Sequence, residues 1–73
     1  MLLGYLKNRK TNVNASIHKS KTGWYYAYDN KKKMYTNMYE SELDLREDLN
    51  NGKEHWFKKE VFYANAAFAV NMA

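Results

Sequence analysis

The 73-residue chain contains no cysteine and no proline, and its three glycines, Gly4, Gly23 and Gly52, stand apart from one another. Without cysteine there is no disulfide, no thiolate metal site and no thiol nucleophile. Isolated glycines exclude the Gly-rich loops that cradle phosphates. Histidine is limited to His18 and His55, and no His-x-x-x-His spacing joins them. Ser16, Ser20 and Ser41 fall in strand, turn and helix-cap contexts that account for them without catalysis. No apolar run approaches the ~20 residues of a membrane span. The opening Met1-Leu2-Leu3-Gly4-Tyr5-Leu6 meets Lys7, Arg9 and Lys10 at once; a secretory signal places its charges first. These absences predict a cytoplasmic, non-enzymatic protein with no cofactor, no metal and no membrane partner.

What is present is a charge split. Residues 1–39 hold eight Lys or Arg and one acid, Asp29. Residues 40–54 hold six acids against Arg46 and Lys53, and the whole chain sums to +4. The basic part interleaves its lysines with Trp24, Tyr25, Tyr26, Tyr28, Tyr35 and Tyr39. Lysines attract phosphates, and exposed tyrosine rings stack on bases.

At this length the chain is one small domain, which buries only about 60% of its unfolded surface and gains from a partner subunit or ligand. Its elements follow from periodicity. Residues 1–12 read as a basic arm or edge segment. Val13, Ala15 and Ile17 alternate with Asn14, Ser16 and His18, the period of a half-buried strand. Trp24 to Asp29 is rich in residues that favour a pleated surface, and Lys33 to Tyr39 follows as a third strand, completing a β-meander over 13–39. An odd loop, Asn30 to Lys32, sets Asp29 opposite Lys33. It places Trp24, Tyr26, Tyr28, Met34, Thr36 and Met38 with Val13, Ala15 and Ile17, and leaves Tyr25, Tyr35, Asn37 and Tyr39 on the other face beside Asn14 and His18. An even loop mixes the two sets, because a one-residue slip exchanges faces.

Ser41 and Asp44 form an N-terminal capping pattern, Leu45 and Leu49 share a helix side, and Asn51-Gly52 reads as a stop, giving a short acidic helix over 41–51. Phe57, Val61, Ala64 and Phe68 recur at helical spacing, predicting a longer helix over 53–71; a strand over Phe62 to Met72 is the competing pattern. The fold class is therefore α+β: a three-stranded antiparallel meander packed by two helices. Over Val13 to Asn50 the three-strand-plus-helix order resembles the architecture of AP2-like and integrase arm-type DNA-binding domains, with no diagnostic motif beside it.

Two functions fit. In the first, DNA or RNA lies on the basic sheet face: Lys7, Arg9, Lys10, Lys19, Lys21, Lys31, Lys32 and Lys33 contact phosphates while Tyr25, Tyr35 and Tyr39 stack or wedge. In the second, the acidic helix (Glu42, Glu47, Asp48) and Trp56 with the other C-terminal aromatics bind and occlude a host enzyme or defence protein, in the manner of a phage-encoded inhibitor. Surplus apolar side chains near the C-terminus also fit a homodimer.

Overall fold

Residues 1–65 are described by the computed structural model. Five strands, β1 (Leu2–Asn8), β2 (Val13–Lys19), β3 (Tyr25–Asp29), β4 (Met34–Thr36) and β5 (Trp56–Lys58), pair in sequence order as one antiparallel sheet. Helix α1 (Glu42–Asn51) joins β4 to β5, and α2 (Lys59–Asn65) follows β5 directly. The α+β class agrees with the sequence reading, but the sheet has five strands where three are predicted. Over Val13 to Asn50 the order is indeed three strands and a helix; the two unpredicted strands flank that segment.

One of them, β1, is the segment read as a basic arm or edge. Leu6 and Asn8 turn inward while Tyr5 and Lys7 turn out, so the strand alternation is there, broken at its start by a register shift between Leu2 and Gly4. The other, β5, corrects the predicted helix over 53–71. Trp56, Phe57 and Lys58 pair with Thr36, Tyr35 and Met34, and the helix begins only at Lys59. Ladder hydrogen bonds to β4 override the helical spacing of Phe57 and Val61. The remainder of that predicted helix, from residue 66, and Phe68 with it, lies outside the described residues.

α1 starts and stops where its caps dictate. The Ser41 hydroxyl accepts the Asp44 N–H at 3.1 Å, and Glu42 and Asp44 sit in the first turn against the positive end of the helix dipole. Gly52, at φ 70°, turns the chain into the left-handed conformation that ends the helix. Leu45 and Leu49 are fully buried against Leu6, Val13, Ala15, Ile17 and Ala27, the main core.

The faces of the sheet are assigned by pairing, and here the expected register is off by one. Ile17 faces Ala27, Ala15 faces Asp29, and Lys19 faces Tyr25. Tyr25 therefore joins the core face, with Ala27 and Asp29, while Tyr26 and Tyr28 sit with Ser16 and His18 on the second face. Asp29 then pairs with Met34 and Tyr28 with Tyr35, so the β3–β4 loop has the even length of Asn30 to Lys33. The physical reason is the turn itself. Lys33 N–H donates to the Asp29 carbonyl at 2.7 Å, while the Asp29 side chain is buried beneath the loop rather than paired with the Lys33 ammonium. The second face is covered in turn by α2: Phe62, 2% exposed, stacks on Tyr35 at 4.4 Å and meets Tyr26 at 5.2 Å. Two layers of packing on opposite faces let a chain this small bury several aromatic rings.

Candidate nucleic-acid interface

Antiparallel order sends the β1–β2 turn, the β3–β4 turn and the end of β5 to the same end of the sheet. Lys58 pairs with Met34, Met34 with Asp29, and Asp29 with Ala15. Arg9 and Lys10, Lys31 to Lys33, and Lys58 with Lys59 are thus brought together, and all seven are exposed. Lys7 points out from β1 just before the first turn.

Both hairpin turns are built on the same plan. In the first, Asn8 is buried; its Oδ1 accepts the N–H of Lys10 at 3.0 Å and of Thr11 at 3.4 Å. Its Nδ2 donates to the carbonyls of Leu49 and Asn50 at 2.8 and 3.1 Å, fastening the turn to the end of α1. In the second, Asp29 is 1% exposed, and its Oδ1 accepts the N–H of Lys31 at 2.9 Å and of Lys32 at 3.2 Å. Each is the side-chain mimic of a backbone turn that Asn and Asp favour. Each loop closes on a residue in the left-handed region, Asn12 at φ 58° and Lys33 at φ 56°. Asparagine tolerates that conformation; lysine does so at a cost of roughly 1–2 kcal/mol.

Between the second turn and α2 lies a cleft of about 430 Å³ lined by Tyr28, Lys32, Lys33, Met34, Tyr35, Lys58, Lys59 and Glu60. Four ammonium groups surround it against one carboxylate. Among the described residues the one ion pair is Arg46 with Glu42, at 2.8 Å, so none of these lysines is held in a close ion pair with a carboxylate among them. Lys32 is steadied by lying over the Trp56 ring, 5.6 Å from its centroid. The cleft is a concave, positively charged site with an aromatic floor, suited to a phosphate-bearing ligand.

The predicted site residues divide. Lys7, Arg9, Lys10, Lys31, Lys32 and Lys33 gather at this end. Lys19 and Lys21 do not: they flank the β2–β3 turn at the opposite end, about 20 Å away along a seven-residue strand. There the Lys19 ammonium lies over Tyr25, 5.5 Å from the ring centroid. The three tyrosines expected to stack on bases are committed elsewhere. Tyr25 packs against the core. Tyr35 is held between Phe62 at 4.4 Å and Tyr28 at 4.6 Å. Tyr39 donates its hydroxyl to Asp48 Oδ2 at 2.7 Å, and burial together with that carboxylate pushes its pKa far above the ordinary tyrosine value. Burial first, then hydrogen bonding to Tyr63, raises Tyr35 to about 12.

The residues of the alternative site are also largely engaged. Glu42 holds Arg46, Asp48 holds Tyr39, and Trp56 packs against the core while its Nε1 donates to Glu54 Oε2 at 2.8 Å. Glu47 alone of the four is exposed.

Sequence reasoning missed Lys58 and Lys59, which it placed within a helix, and the organising roles of Asn8 and Asp29. An Asn or Asp one or two residues before a basic pair (Asn8 before Arg9-Lys10, Asp29 before Lys31-Lys32) was the available signal for the turns. Ser16 Oγ lies 2.7 Å from His18 Nε2, a hydroxyl–imidazole spacing, but Ser16 is buried at 6% exposure and its hydroxyl also reaches the Tyr28 carbonyl. It ties strands together. No helix among the described residues is long and apolar enough to cross a membrane. Comparison of the chain with protein-family models, with curated proteins and with solved structures finds no match.

Proposed function

We propose that this is a non-catalytic, cytoplasmic nucleic-acid-binding protein, and that its binding surface is the basic end of the sheet rather than a sheet face. The observation that carries the reading is the pair of matching hairpin turns. Each is fixed from below by a buried Asn or Asp, and they set Arg9–Lys10 and Lys31 to Lys33 in line with Lys58 and Lys59. Cationic side chains on a fixed backbone lose less entropy on meeting phosphates than those on a mobile loop do. Lys33 adds support: a glycine or asparagine would sit more comfortably at its left-handed φ, as Asn12 does in the sister turn. A strained residue whose chemistry is a charge fits a binding role better than a structural one.

Phosphate contacts made by these groups release counterions, so affinity must fall steeply with salt, by a slope of about −0.9 per phosphate on duplex DNA. Anisotropy of labelled nucleic acid titrated with the full chain at about 50 and 200 mM salt tests the proposal. Binding that weakens strongly between the two conditions supports it. No binding at the lower salt refutes it. The inhibitor reading has less behind it, because Glu42, Asp48 and Trp56 already serve internal contacts.

A further inference from the structure

The inference here rests on the nucleic-acid reading and narrows it to the form of nucleic acid. Proteins that hold single strands do so by stacking bases on open aromatic faces as well as by charge. Among the described residues the basic end offers no ring free of aromatic neighbours: even Tyr63, 37% exposed on α2, meets Tyr35 at 5.9 Å and Phe62 at 5.3 Å. Of the two rings in its cleft, Tyr35 is occupied by Phe62 on one side and Tyr28 on the other, and Tyr28 is half-buried and tilted 46° against Tyr35. Tyr26 is stacked on His18 at 5.3 Å and 15°. Among the described tyrosines Tyr5 is the most open, at 65% exposure. It lies on β1, three strands from β4 and so about 14 Å from the Tyr35 wall of the cleft.

What remains is a row of charge carried on a fixed backbone. With strands about 4.8 Å apart, the two basic turns lie about 10 Å from each other, and the end of β5 about 7 Å further on. The row is therefore about 17 Å long, enough to reach phosphates on both sides of a groove about 12 Å wide. A row on a rigid backbone suits a ligand whose phosphates are already held in place. A double helix presents one charge per roughly 1.7 Å of axis without further ordering. A single strand has to be ordered on the row, with no stacking to offset the lost entropy.

We propose that the basic end is a backbone reader for double-helical nucleic acid. Arg9–Lys10, the lysines of the β3–β4 turn, and Lys58 with Lys59 contact phosphates, and the bases go unread. The shared ligand chemistry is the paired phosphodiester backbone.

The test uses labelled duplex DNA of about 20 base pairs, a duplex RNA of the same sequence, each component single strand, and a second duplex of unrelated sequence, all at about 50 mM salt. The expected result is that at least one duplex type binds roughly tenfold or more tighter than its own single strands, with the two duplex sequences equal within about twofold. The DNA and RNA arms then say which helix is preferred. Tyr5→Ala should leave every affinity unchanged. Single strands binding as tightly as duplexes, or a large loss of single-strand binding in Tyr5→Ala, overturns the duplex inference while leaving nucleic-acid binding intact. If no nucleic acid binds at all, the underlying reading falls, and this inference with it.

Discussion

Asp29 and Lys31 sit at the centre of the basic end: the buried carboxylate Oδ1 accepts the Lys31 backbone N–H at 2.9 Å. The bond fixes the loop's path and thereby the direction in which three consecutive lysines leave the sheet. The second carboxylate oxygen, Oδ2, is buried without a hydrogen-bond partner. Asp29→Asn keeps an acceptor for the turn and removes that charge, so we expect stability to change by under about 1 kcal/mol. Asp29→Ala removes the acceptor and should destabilise by about 1–2 kcal/mol, comparable to losing a helix cap. Urea denaturation of the two variants checks the order; equal losses would mean that the turn does not depend on this bond.

Lys33→Gly separates stability from binding. Relief of the left-handed strain is worth about 1–2 kcal/mol, less the 0.5–1 kcal/mol of extra chain entropy that glycine brings. The variant should therefore be more stable by up to about 1.5 kcal/mol, yet bind nucleic acid more weakly, with a salt slope smaller by about 0.9. Greater stability with undiminished binding would remove Lys33 from the interface.

Thr36 is fully buried, and its hydroxyl accepts the Ala27 N–H at 2.8 Å while donating to the Asn37 carbonyl at 3.0 Å. Thr36→Val keeps the shape and orphans both groups. Destabilisation of about 1–3 kcal/mol is expected, read as a lower denaturant midpoint with an unchanged m-value.

His18 has a lowered pKa, from burial first and then from the positive Met1 ammonium. Acid therefore protonates the unfolded chain before the folded one. Stability should be intact above pH 6.5 and fall as the pH drops below that value and through the lower folded pKa. Tyr35 acts at the other end of the scale: with its folded pKa near 12, stability should decline as pH rises from 10 towards 12. His18→Gln, which does not titrate, should flatten the acid limb alone; an unchanged acid limb would assign it to other groups.

Much of this was legible in the chain. Alternation marked β2, aromatic residues and the polar break at Asn30 to Lys32 marked β3 and β4, and Ser41, Leu45, Leu49 and Gly52 marked α1, because each signal is local. β1 and β5 were harder. Gly4 and the register shift beside it interrupt the alternation of β1, and β5 has three residues whose pattern is equally helical until β4 lies beside it. The faces of β3 turned on one residue of register against each neighbouring strand. Lys19 opposite Tyr25 moved Tyr25 from the exposed set to the core face, and Tyr28 opposite Tyr35 left Tyr35 on its expected face, beneath Phe62. Charge composition pointed to the basic turns, but only strand order could separate Lys19 and Lys21 from them and bring Lys58 and Lys59 in.

On the proposed function one end of the sheet, and not basic charge in general, binds nucleic acid. The most direct measurement compares Lys58→Ala/Lys59→Ala with Lys19→Ala/Lys21→Ala, two variants of equal net charge altered at opposite ends, in duplex titrations across the salt range. The account predicts that the first pair loses affinity and flattens the salt slope by up to about 1.8, while the second stays within about twofold of the parent. Equal losses in the two variants would contradict it and reduce the binding to net charge.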